Sequence, residues 1–333
     1  QVARPIAEAL ARRNEVWCIA RFSDPEARRQ LEAQGIRTHA WHLGDASFGD
    51  LPDDFTHVVN SAAEIYTPSY DESIRANEAR FEKELQFAQR VQKALLPQEL
   101  PKRLRGVDVA WHFDPMRELG GDLCDFLAPE PHMLVVTLGD VSGKGAPAAL
   151  YGAAIGEMIR GRTFRRRLEK KSSTPAEVLA GMNRILHERN LEEYYCTLCY
   201  AMFEFKKKTV TFANSGLPFP VKCSKGTAVQ IDMPGVPLGS FGGSTYEDYV
   251  EPIEVGDVFA FCSDGIFEAF DEAGQEFGAR RLMDVVEQNY TMPAKDIVNA
   301  MFSAVQKFCG DAEQADDRTV VVVKVNQLGR PSG

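Results

Sequence analysis

The sequence predicts an α+β fold with antiparallel sheets for most of the chain, preceded by a helical linker and a partial α/β module. After residue 106, apolar strand patterns come in runs with paired helices between them, whereas regular strand–helix alternation is confined to residues 1–75. A polar helix separates the two regions and ends at prolines. We therefore expect a module at 1–75, a linker at 76–97, a main domain at 98–327 and a tail at 328–333.

Composition limits the classes of function. The 333 residues include 38 basic and 48 acidic side chains, and the resulting net charge of -10 disfavours general binding to nucleic acids or anionic membranes. No apolar run approaches the roughly 20 residues that a membrane span needs. The seven cysteines are odd in number and scattered, which is typical of reduced thiols. We expect a cytoplasmic protein.

Residues 1–75 show the alternating pattern of a parallel α/β unit. Helices are predicted at 2–13 and 25–34 and strands at 15–21, 36–43 and 57–62. The segments Val-Trp-Cys-Ile-Ala-Arg from Val16 and His-Val-Val-Asn-Ser-Ala-Ala from His57 resemble the early part of an extended short-chain dehydrogenase or sugar-nucleotide epimerase. That family holds its dinucleotide on a glycine-rich turn that this sequence lacks. The module is interpreted as a truncated Rossmann-like unit, which disfavours an NAD(P)-dependent oxidoreductase.

The linker carries a narrow apolar stripe. Phe81, Leu85, Ala88 and Leu95 recur at steps of three and four residues, with Val91 or Gln92 completing about two heptads. Two interpretations stay open: an amphipathic helix that packs on its own domain, or a signalling helix through which the chain forms a homodimer.

The main domain contains six predicted strands and four predicted helices. The strands are 107–113, 133–138, 196–205, 209–213, 258–261 and 319–325, and the helices are 146–159, 175–188, 279–287 and 293–309. Their order favours a layered α+β sandwich.

Four aspartates in glycine-flanked or paired-acid motifs lie at what look like strand ends: Asp122, Asp140, Asp264 and Asp316, with Asp125 and Asp317 nearby. Histidine is scarce, with six in all and none next to these motifs, so an all-oxygen ligand set would select Mg²⁺ or Mn²⁺. Four carboxylates can neutralise two such ions. A pair of ions lowers the pKa of a water between them and holds a phosphoryl oxygen, as hydrolysis of a phosphate ester requires.

Two competing motifs are weaker. Gly139–Gly145 has the glycines and lysine of a phosphate-binding loop, but its spacing is too short and Gly145 stands where Ser or Thr is required. Cys196 and Cys199 form a Cys-x-x-Cys within a strand pattern, so they should point to opposite faces and serve as packing residues rather than zinc ligands.

The motifs of the main domain resemble, in order, those of the PPM metal-dependent Ser/Thr protein phosphatases of the SpoIIE/RsbU-type branch. They are Gly120-Gly-Asp-Leu-Cys-Asp-Phe, Gly139-Asp-Val-Ser-Gly-Lys-Gly, Phe212-Ala-Asn-Ser-Gly, Gly235-Val-Pro-Leu-Gly, Ser263-Asp-Gly-Ile-Phe and Asp316-Asp-Arg-Thr. The resemblance covers about residues 80–326 and implies an α-β-β-α sandwich.

The resemblance also implies roles for individual residues. Asp122 and Asp140 would be catalytic and shared by two metal ions, with the backbone carbonyl of Val141 as a further ligand. Asp264 and Asp316 would hold the second ion. Asp316 is preferred over Asp317 as the ligand of the Asp-Asp-Arg-Thr motif.

The implied reaction is attack of a metal-activated water on phosphoserine or phosphothreonine of a partner protein, typically an anti-sigma-factor antagonist of the STAS type. The branch works in signal transduction and stress responses, and it tends to need an activating partner. A catalytically weak signalling module with the same fold is the alternative.

Three further residues are secondary candidates for the site: Asp317, Gly265 and Lys144. Lys144 stands where the family commonly has histidine, and Leu217 replaces another family histidine. Neither position is an expected metal ligand, so the departures concern contacts of the substrate or the loop.

The segment 160–171 is the one basic run in an acidic protein. A solvated face is the default interpretation, and docking of an acidic partner or of the phosphoprotein is the alternative.

Overall fold

The computed structural model describes residues 3–20, 25–40, 70–102, 104–165, 173–189 and 194–328. The chain divides into two compact units, Gln1–Glu84 and Leu85–Gly333. Each unit is described by itself below. None of the described helices combines the length and apolar character that crossing a bilayer requires.

The first unit contains a small parallel β-strand pair. Its elements are α1 (Ala3–Leu10), β1 (Trp17–Ala20), α2 (Pro25–Glu32) and β2 (Arg37–Ala40), and β1 pairs with β2 in parallel. Ala7, Leu31 and Ile36 form its buried core. The predicted strand at 57–62 lies outside the described residues, so the Rossmann-like assignment stays a prediction.

The linker prediction corresponds to α3 (Tyr70–Leu95), a continuous helix of 26 residues inside which the division between the two units falls. On its last turns Phe87, Val91 and Leu95 are at least two-fifths exposed. The side chain of Phe81 lies outside the described residues. Three positions of the predicted stripe, Leu85, Ala88 and Gln92, are half-buried. Both interpretations of the linker therefore stay open, and the homodimer stays a prediction.

The second unit contains the remaining elements. Its strands are β3 (Val107–Asp114), β4 (Leu123–Leu127), β5 (Met133–Val141), β6 (Cys196–Glu204), β7 (Thr209–Asn214), β8 (Val221–Ser224), β9 (Thr227–Gln230), β10 (Tyr249–Pro252), β11 (Val258–Cys262) and β12 (Arg318–Val325). Its helices are α4 (Ala146–Arg165), α5 (Pro175–Arg189), α6 (Asp264–Phe267), α7 (Gly278–Asn289) and α8 (Ala294–Cys309). Every strand and helix predicted for the main domain is present.

These strands form two five-stranded antiparallel sheets, with orders β10-β7-β6-β5-β4 and β3-β12-β11-β8-β9. The sheets pack face to face through an aromatic core, in which the rings of Phe203 and Phe259 meet at 5.2 Å. Helices α4 and α5 cover the outer face of the first sheet, and α7 and α8 cover the outer face of the second. The predicted α-β-β-α sandwich is confirmed.

Burial on both faces explains the continuous apolar runs that marked the central strands. All nine residues of β5 except Asp140 are buried, because helices cover one face of the sheet and the second sheet covers the other. The same geometry separates the Cys-x-x-Cys pair: Cys196 packs beneath α4 and α5, whereas Cys199 packs between the sheets. The two cysteines are packing residues, as expected.

Candidate metal centre

The four predicted aspartates lie at the same end of the sandwich. Asp122 directly precedes β4 and Asp140 is the second-last residue of β5, and the pairing of Leu123 with Gly139 brings the two acids together. In the other sheet, Asp264 begins α6 directly after β11, while Asp316 lies two residues before β12, which pairs with β11. Two of the four acids therefore stand at strand starts rather than at strand ends. We call these four residues the acid cluster.

Asp122 is the most enclosed member of the acid cluster. It is 2% exposed, and its Oδ2 accepts a short hydrogen bond from the hydroxyl of Thr319. Its Oδ1 is buried and has no hydrogen-bond partner. Burial, followed by repulsion from Asp140, raises the pKa of Asp122 well above its usual value. A buried carboxylate oxygen without a donor is costly unless a cation or a proton satisfies it.

Repulsion among the acids adds to the effect of burial on their pKa values. Burial raises the pKa of Asp140 to about 8, with repulsion from Asp264 and Asp316 adding to it and Lys144 opposing it. The pKa of Asp264 is also raised, mainly by burial and then by the charge of Asp316. Carboxylates held this close repel each other, so the cluster needs positive charge or protons to be stable.

Gly121 leaves an opening in front of two further oxygens. A Cβ atom at this position would lie 2.7 Å from the carbonyl oxygen of Val141 and 3.2 Å from Asp140 Oδ1. The missing side chain keeps both oxygens accessible beside Asp122. Carboxylate and backbone carbonyl oxygens are the ligands that Mg²⁺ and Mn²⁺ prefer.

The oxygens of this region are therefore of the type that a hard divalent cation prefers. What indicates a cation is individual oxygen atoms, not a complete set of side-chain ligands. Among the described residues no three Asp, Glu, His or Cys side chains converge as a finished cation site. What fits is the unpartnered Oδ1 of Asp122 together with the glycine-lined opening at Val141 and Asp140.

Asp317 is engaged differently from the acid cluster. Its carboxylate accepts backbone N–H donors from Met116 at 2.8 Å, from Gly121 at 2.6 Å and, more weakly, from Asp122 at 3.4 Å. Both of its oxygens are thus occupied in fixing the segment that carries Asp122. Gly265 belongs to the same packing, because a Cβ atom there would collide with the carbonyl oxygen of Asp317.

Lys144 lies on the turn between β5 and α4 and reaches across the acid cluster. Its Nζ donates to the carbonyl oxygen of Ala315 at 2.6 Å and lies 3.5 Å from Asp316 Oδ2. The same atom lies 3.5 Å from the sulfur of Met116. The flanking glycines Gly143 and Gly145 have φ angles of +90° and +75°, a backbone conformation that favours glycine.

Sequence reasoning missed two residues that position the centre. Thr319 lies at the end of the Asp-Asp-Arg-Thr motif, so its place in that motif was the available signal. Gln92, on α3, donates from its side-chain amide to the carbonyl oxygen of Gly120 at 2.6 Å. Nothing in the local sequence marks Gln92 beyond its position in the helical stripe.

The basic run is not part of this centre in the described residues. Arg160 forms an ion pair with the buried Asp125 at 2.8 Å, on the α4 side of the first sheet. Residues 166–171 lie outside the described residues. The docking hypothesis for this run stays a prediction.

Comparisons with known proteins agree with this architecture. Residues 130–326, more than half of the chain, match the family described as Stage II sporulation protein E (SpoIIE). The chain is 25% identical over 331 residues to phosphoserine phosphatase RsbU of Bacillus subtilis (strain 168), covering 97% of this chain and 95% of that protein.

Two solved structures share the fold. The SiaA-PP2C domain of Pseudomonas aeruginosa has a TM-score of 0.65 at 19% identity, covering 75% of this chain and 98% of that one. The PP2C phosphatase domain of SpoIIE from Bacillus subtilis, with a fragment of its regulatory domain, has a TM-score of 0.55 at 20% identity, covering 66% of this chain and 63% of that one. The chain therefore belongs to the SpoIIE family of PPM-type phosphatases.

Proposed function

We propose that the protein is a divalent-cation-dependent phosphatase that hydrolyses phosphoserine or phosphothreonine on a partner protein. The observation that carries the proposal is the buried Oδ1 of Asp122, which has no hydrogen-bond partner. It is supported by the preceding residue, Gly121, whose missing side chain leaves the carbonyl oxygen of Val141 and Asp140 Oδ1 uncovered. An oxygen in this position is stabilised by a bound cation and destabilised without one. Membership of the SpoIIE family gives the reaction class.

The acid cluster divides into two pairs that would hold two ions, Mg²⁺ or Mn²⁺. Asp122 and Asp140 would contact both, with the carbonyl oxygen of Val141 completing the first position. Asp264 and Asp316, from the second sheet, would hold the second position. Bound divalent cations supply Lewis-acid activation of water and neutralise charge on the phosphoryl group.

The surrounding residues would keep these oxygens in place. Thr319 donates to one oxygen of Asp122 and so leaves the other oxygen for the cation. Asp317 accepts hydrogen bonds from the backbone N–H groups of Met116 and Gly121, and so would keep Gly121 next to the carbonyl oxygen of Val141. We accordingly assign Asp317 a positioning role and Asp316 the role of ligand.

The physiological substrate is proposed to be a phosphoprotein of the STAS anti-sigma-factor-antagonist type, with an activating partner protein. The relative from Bacillus subtilis is named for phosphoserine hydrolysis and aligns with nearly the whole chain, which supports phosphoserine as the group that is hydrolysed. The STAS type and the activating partner come from the resemblance of the motifs to the family. A cytoplasmic location is proposed with it, because all seven cysteines lie in the described residues and all are free thiols.

Phosphate release from a phosphoserine peptide tests the proposal. Wild-type protein should release phosphate with Mn²⁺ or Mg²⁺ and lose the activity in a chelator. Asp140→Asn should abolish turnover, whereas Asp232→Asn, a control at an exposed aspartate outside the cluster, should retain it. Activity that survives both the chelator and Asp140→Asn would overturn the mechanism. A folded wild type that binds Mn²⁺ but never turns over, even with an activating partner, would favour the signalling module.

A further inference from the structure

Lys144 places a positive charge inside the candidate metal centre. Its Nζ lies 3.5 Å from Asp316 Oδ2, and its backbone lies on the turn that follows Asp140 and β5. These two acids belong to opposite sheets and to both halves of the acid cluster. The ammonium group therefore already neutralises part of the negative charge of Asp316, which would otherwise attract a bound cation.

The side chain of Lys144 is partly exposed but makes specific contacts at its ammonium end. Its hydrogen bond to the carbonyl oxygen of Ala315 measures 2.6 Å, and the Met116 sulfur lies 3.5 Å away. Lys144 thereby joins the turn after β5 to the segments before β4 and before β12. The side chain is 41% exposed, so its loss removes a charge and a tether but does not open the core.

We propose that Lys144 is a tethered cation that competes with the divalent ion for the Asp316 side of the centre and weakens the binding of that ion. This inference rests on the proposed function, because it assumes that Asp316 is a ligand. Like charges a few ångströms apart in a partly exposed site repel by on the order of 1 kcal/mol or more. The turn flanked by Gly143 and Gly145 must carry the ammonium away for the ion to bind fully.

Mn²⁺ binding to the metal-free protein tests this inference without reference to turnover. Free Mn²⁺ is measured by electron paramagnetic resonance during titration of wild type, Lys144→Met and Lys144→Gln. Both neutral variants should bind the weaker Mn²⁺ with a dissociation constant about tenfold lower, which corresponds to ~1.4 kcal/mol. Lys144→Arg, which keeps the charge, should bind within about twofold of wild type.

Lys207→Met is the matched control, since Lys207 is 70% exposed and pairs with Glu204 outside the cluster. It should leave Mn²⁺ affinity unchanged. Equal or weaker Mn²⁺ binding by both neutral Lys144 variants would overturn the inference and leave the metal centre standing. Absence of Mn²⁺ binding by wild type and all variants would overturn the metal centre and the inference with it.

Discussion

Replacing Asp317 with alanine separates a positioning acid from a ligand acid. The carboxylate accepts two well-formed backbone hydrogen bonds, from Met116 at 2.8 Å and Gly121 at 2.6 Å. Hydrogen bonds to charged groups contribute roughly 1.5–3 kcal/mol each, so two would give about 3–6 kcal/mol. Burial opposes this sum, because it raises the pKa of Asp317. We expect Asp317→Ala to lower the free energy of unfolding by about 3 kcal/mol.

The measurement is made in a chelator, so that the loss cannot come from a metal ion. Urea unfolding is followed by hydrogen–deuterium exchange in β12, which reports on the unit Leu85–Gly333 alone. Asp271→Ala is the control: Asp271 also accepts two backbone N–H groups, from Ala273 and Gln275, but on an exposed turn. Because water can replace that acceptor, its loss should cost at most about 1 kcal/mol.

A purely ligand role for Asp317 predicts the opposite sign. Without a cation, removing one acid from a repelling group would stabilise the protein. A metal-free Asp317→Ala protein as stable as wild type, or more stable, would therefore refute the positioning role. The assignment of Asp316 rather than Asp317 as the ligand would then have to be reversed.

Two further predictions concern Asp140 and Asp122. Because the folded protein raises the pKa of Asp140 to about 8, the metal-free folded state binds more protons than the unfolded state between about pH 4 and pH 8. The free energy of unfolding in a chelator should thus fall as pH rises through this window. The fall should be smaller in Asp140→Asn. If urea unfolding shows the same pH dependence for wild type and Asp140→Asn, this prediction is wrong. Thr319→Val removes the donor to Asp122 and should weaken Mn²⁺ binding. Because the raised pKa of Asp122 favours the neutral carboxyl in a chelator, the loss of stability should be about 0.5–1.5 kcal/mol. Thr137→Val, at a buried hydroxyl without a partner, should cost nothing in the same urea titration, and equal losses in the two variants would argue against the role of Thr319.

The sequence was sufficient to predict the framework of the second unit. Central strands such as β5 and β12 are buried on both faces, so their apolar runs are long and easily recognised. The acids were visible because four of them recur in glycine-flanked or paired-acid motifs beside such runs, although any one alone could be a turn or cap residue. The short strands β4, β8, β9 and β10 were missed because each has only four or five residues, with polar side chains among the apolar ones.

Which acid binds a cation and which one positions the backbone could not be predicted in the same way. Asp316 and Asp317 are neighbours of identical chemistry, and only the chain that surrounds them distinguishes their roles. The donors to Asp317 come from Met116 and Gly121, about 200 residues away in sequence. Contacts over such a separation depend on how the two sheets pack, and no local pattern records them. The same is true of Lys144, whose partner Ala315 is 171 residues distant.

Anomalous X-ray scattering from crystals grown with Mn²⁺ would show whether the acid cluster holds divalent cations. We expect anomalous peaks in contact with Asp122 Oδ1 and Asp140, one of them also at the carbonyl oxygen of Val141 and the other at Asp264 and Asp316. Crystals of Asp140→Asn grown in the same Mn²⁺ concentration should lose at least one peak. Wild-type crystals without peaks at the cluster in millimolar Mn²⁺, or with a peak on Asp317 instead of Asp316, would rule out this arrangement of ligands.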